Sequence, residues 1–77
     1  MTTQRRLRDH HRLHLERTRD ALFEARAILA QLERDNSVHR SVRRSLADEV
    51  NRLEPNQRSD CLEQALLLRN RIRAYYL

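Results

Sequence analysis

The chain has 77 residues, a formal net charge of +5, no glycine and one proline, so it lacks the residues that tight β-hairpin turns need. A domain of this size buries only about 60–65% of its unfolded surface, so oligomerisation or partner binding usually supplements its core. The lone Cys61 excludes a disulfide within one chain, and neither a transmembrane run nor a hydrophobic leader is visible, so we expect a cytoplasmic protein.

The first predicted element is a long amphipathic helix over about residues 3–34. From His11 its seam advances in alternating steps of four and three residues, the heptad spacing of packed helices. Arginines seven residues apart flank the seam, and a run of short polar residues after it favours a turn. The seam is Leu7, His11, Leu15, Thr18, Leu22, Ala25, Leu29 and Leu32; the arginine column is Arg5, Arg12, Arg19 and Arg26; the turn is Asp35, Asn36 and Ser37.

A shorter second helix is predicted over about residues 38–53. Asn36 or Ser37 is expected to cap it, because short polar side chains accept hydrogen bonds from the first N–H groups of a helix. Pro55 stops it, since the residue before a proline is pushed out of the helical region. Its thin apolar stripe is Val38, Val42, Leu46, Val50 and Leu53.

A third helix is predicted over about residues 59–76, with Ser59 or Asp60 as its cap. It is the most hydrophobic of the three helices, so we expect it at the centre of the packing. Its stripe is Cys61, Ala65, Leu68, Ile72 and Tyr75.

The three helices are predicted to form one all-α domain over residues 1–77, a small antiparallel bundle with a long, partly protruding first helix. The first helix would be about 45–48 Å long and the others about 25–27 Å each. If both fold back along its second half, its first half up to Arg19 stays uncovered, although the seam continues there. We expect another surface to cover it, most simply a second copy in a homodimer. If the two short helices are instead staggered along the first helix, they cover this half themselves and no other surface is needed.

Protein-binding residues are predicted where the uncovered seam and the arginine column coincide. Residues 1–20 carry a net charge of +3 and residues 61–77 carry +2, while the residues between them balance to zero. The column could pair with acids one turn on, as Arg12 with Glu16, or meet an acidic protein face or phosphates. Tyr76 is predicted to be an exposed anchor, because tyrosine is enriched at interfaces. The predicted protein-binding set is Leu7, His11, Leu15, Arg5, Arg12, Arg19 and Tyr76.

The predicted function is a non-enzymatic protein-binding regulator of the inhibitor, anti-activator or co-chaperone type, acting through helix–helix contacts. Its partner would present an acidic or apolar helical surface. Small helical bundles serve such roles, although an analogy of fold does not fix function. The alternative is a nucleic-acid-binding regulator, against which interleaved acids and the near absence of aromatic residues count. That alternative would use Arg5, Arg6, Arg8, Arg12, Arg69 and Arg73.

No catalytic, cofactor or metal site is predicted. Glycine-rich phosphate loops are excluded by the absence of glycine, and Cys61 on an apolar face is interpreted as an inert small hydrophobe. His10 and His14 have the i, i+4 spacing of a zinc pair, but the nearby Asp9 and His11 point elsewhere. We favour a solvated pair of histidines over a zinc site shared across a dimer. His11, on the seam, would make association depend on pH near neutrality.

Overall fold

The structure, a computed structural model, describes the backbone of residues 2–53 and 61–76 and the side chains of residues 12–53 and 61–76. Within these ranges the chain forms helices and no strand. The helices pack against one another as a small antiparallel bundle, which confirms the predicted all-α fold. No described helix combines the length and the apolar character that crossing a membrane requires. The helices are α1 (Thr2–Asp35), α2 (Arg40–Arg52) and α3 (Leu62–Tyr76).

The first helix ends at the turn that the sequence predicts. Asn36 follows Asp35 with a φ of 51°, in the left-handed region that asparagine tolerates better than most residues. Its N–H donates to the carbonyl oxygen of Glu33 at 3.3 Å, which satisfies one of the last carbonyl groups of the helix. The observed end lies one residue beyond the predicted one.

The second helix begins at Arg40, two residues later than predicted. Its N-cap is His39, whose Nδ1 accepts a hydrogen bond from the Ser41 N–H at 3.1 Å. The prediction of Asn36 or Ser37 as the cap is therefore wrong. The physical reason is that Asn36 is already used in the turn that ends α1.

The third helix follows a turn at Cys61, whose carbonyl oxygen accepts a hydrogen bond from the Ala65 N–H at 2.8 Å. This bond joins the turn to the first residues of α3. The predicted caps Ser59 and Asp60, and the predicted stop at Pro55, lie outside the described residues.

The predicted stripes of the three helices supply the core, with one exception: Tyr75, at the end of the α3 stripe, is 49% exposed, so its prediction as a core residue is wrong. Leu7 and His11 of the predicted seam lie outside the described side chains. Thr18 is buried in the core, and its hydroxyl donates to the His14 carbonyl oxygen at 2.8 Å. Helix α1 occupies the centre, because α2 and α3 each pack on it and pack only lightly on each other. The prediction that the third helix is central is wrong, since hydrophobicity does not decide which helix lies between the others. The buried apolar residues are Ala21, Leu22, Ala25, Leu29, Leu32, Leu46, Val50, Ala65, Leu68 and Ile72.

The two short helices are staggered along α1. The Arg43 guanidinium donates to the carbonyl oxygens of Leu32 at 3.3 Å and Glu33 at 3.2 Å, so the start of α2 lies beside the end of α1. Helix α3 instead meets Glu24, in the middle of α1, through two of its arginines. Together they cover the middle and the end of the long helix.

The stagger covers more of α1 than the sequence predicts. Thr18 is buried and Leu15 is half-buried, so the prediction that α1 is uncovered up to Arg19 is wrong. At 1.5 Å per residue α1 is about 51 Å long, against about 20 Å for α2 and about 22 Å for α3. The molecule is 53 Å long in its longest dimension, close to the length of α1. We call residues 2–14, the part of α1 before Leu15, the arm; within it Arg12 and Leu13 are exposed and His14 is half-buried.

Candidate protein-binding surface

Four residues of the predicted protein-binding set have described side chains. Arg12 is exposed, and its Nε lies 3.3 Å from Glu16 Oε1, which confirms the predicted pairing with an acid one turn on. Leu15 is half-buried on the seam, whereas Arg19 and Tyr76 are exposed. The side chains of Arg5, Arg6, Leu7, Arg8, His10 and His11 lie outside the described residues.

Phe23 is an exposed aromatic residue outside the predicted set. It is 75% exposed, more than any other exposed large hydrophobic residue in the described part of the chain. It lies four residues after Arg19 and three before Arg26, and residues with these separations share a helix face. Its position off the apolar seam is the signal that could have predicted its exposure. We call Arg12, Arg19, Phe23 and Arg26 the basic face of α1.

The basic face shares Arg26 with an open groove of about 600 Å³ between α1 and α2. Four arginines and one acid, Glu33, line this groove. The charges of residues 21–60 cancel in the sequence, but two of the acids in that range pair with arginines of α3. We call it the arginine groove; its lining consists of Arg26, Arg40, Arg43, Arg44 and Glu33 together with Leu29, Ala30, Ala47, Val50 and Asn51.

The basic cluster of α3 is engaged at the junctions between helices. Arg73 Nε donates to Glu24 Oε1 at 2.9 Å, and Arg69 Nε lies 3.6 Å from Glu24 Oε2. Arg71 Nη1 lies 3.5 Å from Glu49 Oε1 of α2. Three cations that looked like a free basic end in the sequence therefore connect α3 to both of its neighbours.

A second groove, of about 350 Å³, lies between α2 and α3. Leu67 is 58% exposed at this groove, beside the ion pair between Arg71 and Glu49. The segment that joins its two walls, residues 54–60, lies outside the described residues, so we assign no binding role to this groove. Its lining is Glu49, Arg52, Leu53, Gln64, Leu67, Leu68 and Arg71.

The described residues contain no group of three or more His, Cys, Asp or Glu side chains placed to hold a metal ion. His14 is half-buried, while the side chain of His10, its partner in the predicted histidine pair, is not described. Cys61 is a half-buried free thiol in the turn before α3. Within the described part, each buried polar side-chain atom has a hydrogen-bond partner.

Comparisons with family models, with curated proteins and with solved structures find no match to this chain. The surface of the described residues is therefore what indicates the function of the chain. Three features of that surface lie on or beside α1: the arm, the basic face and the arginine groove. The arm and the basic face lie on α1 itself, and the arginine groove lies between α1 and α2.

Proposed function

We propose that this chain is a small non-enzymatic regulator that binds another protein through helix–helix contacts, as inhibitors, anti-activators and co-chaperones do. The observation that carries the proposal is the length of α1, which has 34 residues against 13 in α2 and 15 in α3. The arm lies at the start of this long helix, and in the sequence the seam continues along it through His11 to Leu7. An amphipathic helix without cover from its own chain is a surface suited to another helix.

The basic face of α1 supports a partner with an acidic or apolar helical surface. Arg19 and Phe23 are both exposed and lie one helical turn apart, so one partner element can contact both. Aromatic residues and arginine are enriched at the centre of interfaces and among the residues that carry most of the binding energy. Tyr76, 56% exposed at the end of α3, offers a second aromatic contact.

A second copy of the chain is the simplest cover for the arm, so the proposal includes a homodimer. Two-fold symmetric dimers are the commonest oligomers, and two arms crossing would bury both seams with one contact repeated twice. A domain of 77 residues also has a small core, which a dimer would enlarge. The lone cysteine agrees with action in the reducing cytoplasm.

The alternative is a regulator that binds nucleic acid, supported by the net charge of +5. Its described residues do not form one surface. Arg69 and Arg73 are held by Glu24, which lies about 120° around the α1 axis from Arg12 at 100° per residue. The arginines that could meet one phosphate backbone are therefore fewer than the sequence suggests, and we favour the protein partner.

A capture experiment separates the two functions. The tagged chain is used to capture binding partners from a lysate of the organism that encodes it, with and without nuclease and at two salt concentrations. We expect protein partners to be retained after nuclease treatment and at moderate salt. Capture that disappears with nuclease, or falls steeply with salt as counterion release requires, would favour the nucleic-acid alternative.

A pair of matched variants tests the surface itself. Phe23→Ser removes the aromatic side chain of the basic face, and Leu67→Ser makes a similar change at an exposed position of α3. Both residues are mostly exposed, so both variants should keep the helicity of the parent chain. We expect Phe23→Ser alone to weaken capture, and equal effects of the two changes would argue against the basic face.

A further inference from the structure

We propose that the arginine groove binds the carboxylate side chains of an acidic, amphipathic segment of a partner protein. The inference rests on the proposed function in taking the partner to be a protein, and it adds where and by what chemistry that protein is recognised. The groove lies between Arg26–Glu33 of α1 and Arg40–Asn51 of α2.

Only some of the arginines in the groove have partners within the fold. Arg43 donates to the carbonyl oxygens of Leu32 and Glu33, which fixes one wall. Arg40 and Arg44 are exposed and make no hydrogen bond or ion pair with any residue that the structure describes. The single carboxylate in the lining cannot neutralise both Arg40 and Arg44. An added carboxylate would meet planar, bidentate donors suited to it.

The position of these arginines is unfavourable for helix stability. Arg40 is the first residue of α2, Arg43 and Arg44 follow in its first turns, and the first turn contains no acid. The N-terminus of a helix carries partial positive charge, so cations there are disfavoured and anions are favoured. Aspartate or glutamate at these positions would stabilise the helix better than arginine does. An acidic ligand would offset the unfavourable charge of the arginines.

The floor of the groove distinguishes a protein segment from a nucleic acid. Ala30 and Ala47 are half-buried and contribute short side chains, and Leu29 and Val50 are buried beneath them. An amphipathic peptide can lay aliphatic side chains on such a floor while its carboxylates meet the arginine rim. A sugar–phosphate backbone has no apolar side chain to place there. The groove also joins the basic face through Arg26, so one bound helix could contact both.

The test uses a synthetic probe and the full-length chain. The probe is a fluorescein-labelled helical peptide of about 15 residues, roughly the length of α2, with glutamate on one face and leucine and alanine on the other. Anisotropy gives its Kd for the parent chain, for the groove variant Arg40→Gln/Arg44→Gln, and for a control variant. The control, Arg17→Gln/Arg52→Gln, removes the same charge. Arg17 lies about 180° around α1 from Arg26 at 100° per residue, and Arg52 lines the other groove.

We expect the groove variant to raise Kd by at least about tenfold, since each lost charge-assisted contact corresponds to about an order of magnitude in affinity. The control should change Kd by less than about twofold, the residual effect of net charge on a screened surface. Circular dichroism of each variant provides the fold control, because exposed Arg→Gln changes should leave helicity intact.

Four results would overturn the proposal. One is equal weakening by both variants, because binding would then depend on net charge and not on the groove. Another is a parent chain that does not bind the peptide, or a groove variant that binds it as the parent does. The last is a duplex or single-stranded oligonucleotide of similar length that binds the groove more tightly than the peptide at the same salt. If capture still depends on Phe23 after any of these results, the proposed function stands and only the groove assignment falls.

Discussion

At the scale of single residues, Glu24 connects α3 to α1. Its carboxylate meets both Arg69 and Arg73, one turn apart on α3. The side chains of Glu24 and Arg73 are 38% and 44% exposed, so solvent screens much of the attraction. A stabilisation of about 0.5–1 kcal/mol is the expected size for such a partly exposed pair. Its larger effect is on geometry, because it fixes where α3 lies along α1.

The Glu24→Gln variant should therefore lower Tm by a few degrees, about 2–8 °C for a domain of this size. The control is Glu16→Gln, which removes only the exposed pair with Arg12 inside α1. We expect its effect on Tm to be small. Thermal melts by circular dichroism at low and high salt measure both, and high salt should reduce the difference. Equal shifts in the two variants would show that Glu24 does not join the helices.

Arg40 should show opposite effects on stability and on binding. Replacing it with glutamate puts a negative charge at the positive end of α2, which we expect to stabilise the fold by about 0.5 kcal/mol and to raise Tm by about 2–4 °C. Arg52→Glu, the same change at the other end of α2, should lower Tm instead. Differential scanning calorimetry measures both signs. A Tm that falls with Arg40→Glu would mean that Arg40 stabilises the fold and is not held in place for a ligand.

At the scale of the elements, the apolar stripe of α3 holds it against α1. Ile72 and Ala65 are fully buried, while Leu67 on the same helix is 58% exposed. Ile72→Ala should lower the free energy of unfolding by about 2–4 kcal/mol, through lost burial and the cavity left behind. Leu67→Ala should change it by less than about 0.5 kcal/mol. Urea denaturation of both variants checks the contrast, and similar losses would contradict the packing of α3.

The element pattern could be predicted from the sequence because apolar periodicity and polar breaks are local signals. The seam of α1, the stripes of α2 and α3, and the turn at Asn36 were all predictable in this way. The start of α2 could not be predicted in this way, because Asn36 ends α1 and therefore does not also cap α2. The axial offset of α2 and α3 along α1 could not be predicted either, because helix lengths do not determine it. Contacts between distant residues set it, such as Arg43 with the carbonyl of Leu32.

The candidate site was predictable only in part, for a similar reason. The arginine column is visible as a seven-residue repeat, and Arg12 and Arg19 are exposed as expected. The arginine groove was missed because charge was summed along the chain, where the acids near Arg40 and Arg44 cancel it. Only the folded arrangement shows that Glu24 and Glu49 face α3. The exposed position of Phe23 was not predicted, because Phe23 lies beside the apolar seam and the only apolar residues of α1 assigned to a surface were those of the seam.

At the scale of the whole molecule, the arm and the bundle have different roles in this account. Among the described side chains the buried core begins at Thr18, and Arg12 and Leu13 before it are exposed. Removing residues 1–11 should therefore leave the Tm of the monomeric bundle nearly unchanged. Thermal melts at low protein concentration, where a dimer dissociates, make this comparison. A large loss of Tm there would show that the arm belongs to the fold of the single chain.

We claim that two copies of the chain pair through their arms, and the mass of the protein in solution tests this pairing directly. Light scattering across a range of concentrations should give a mass near twice the 9.3 kDa of one chain, decreasing on dilution. The chain without residues 1–11 should have the mass of a monomer at every concentration. A full-length chain that remains at 9.3 kDa up to about 100 μM, where a dimer held by only about 5.5 kcal/mol would form, would contradict the claim.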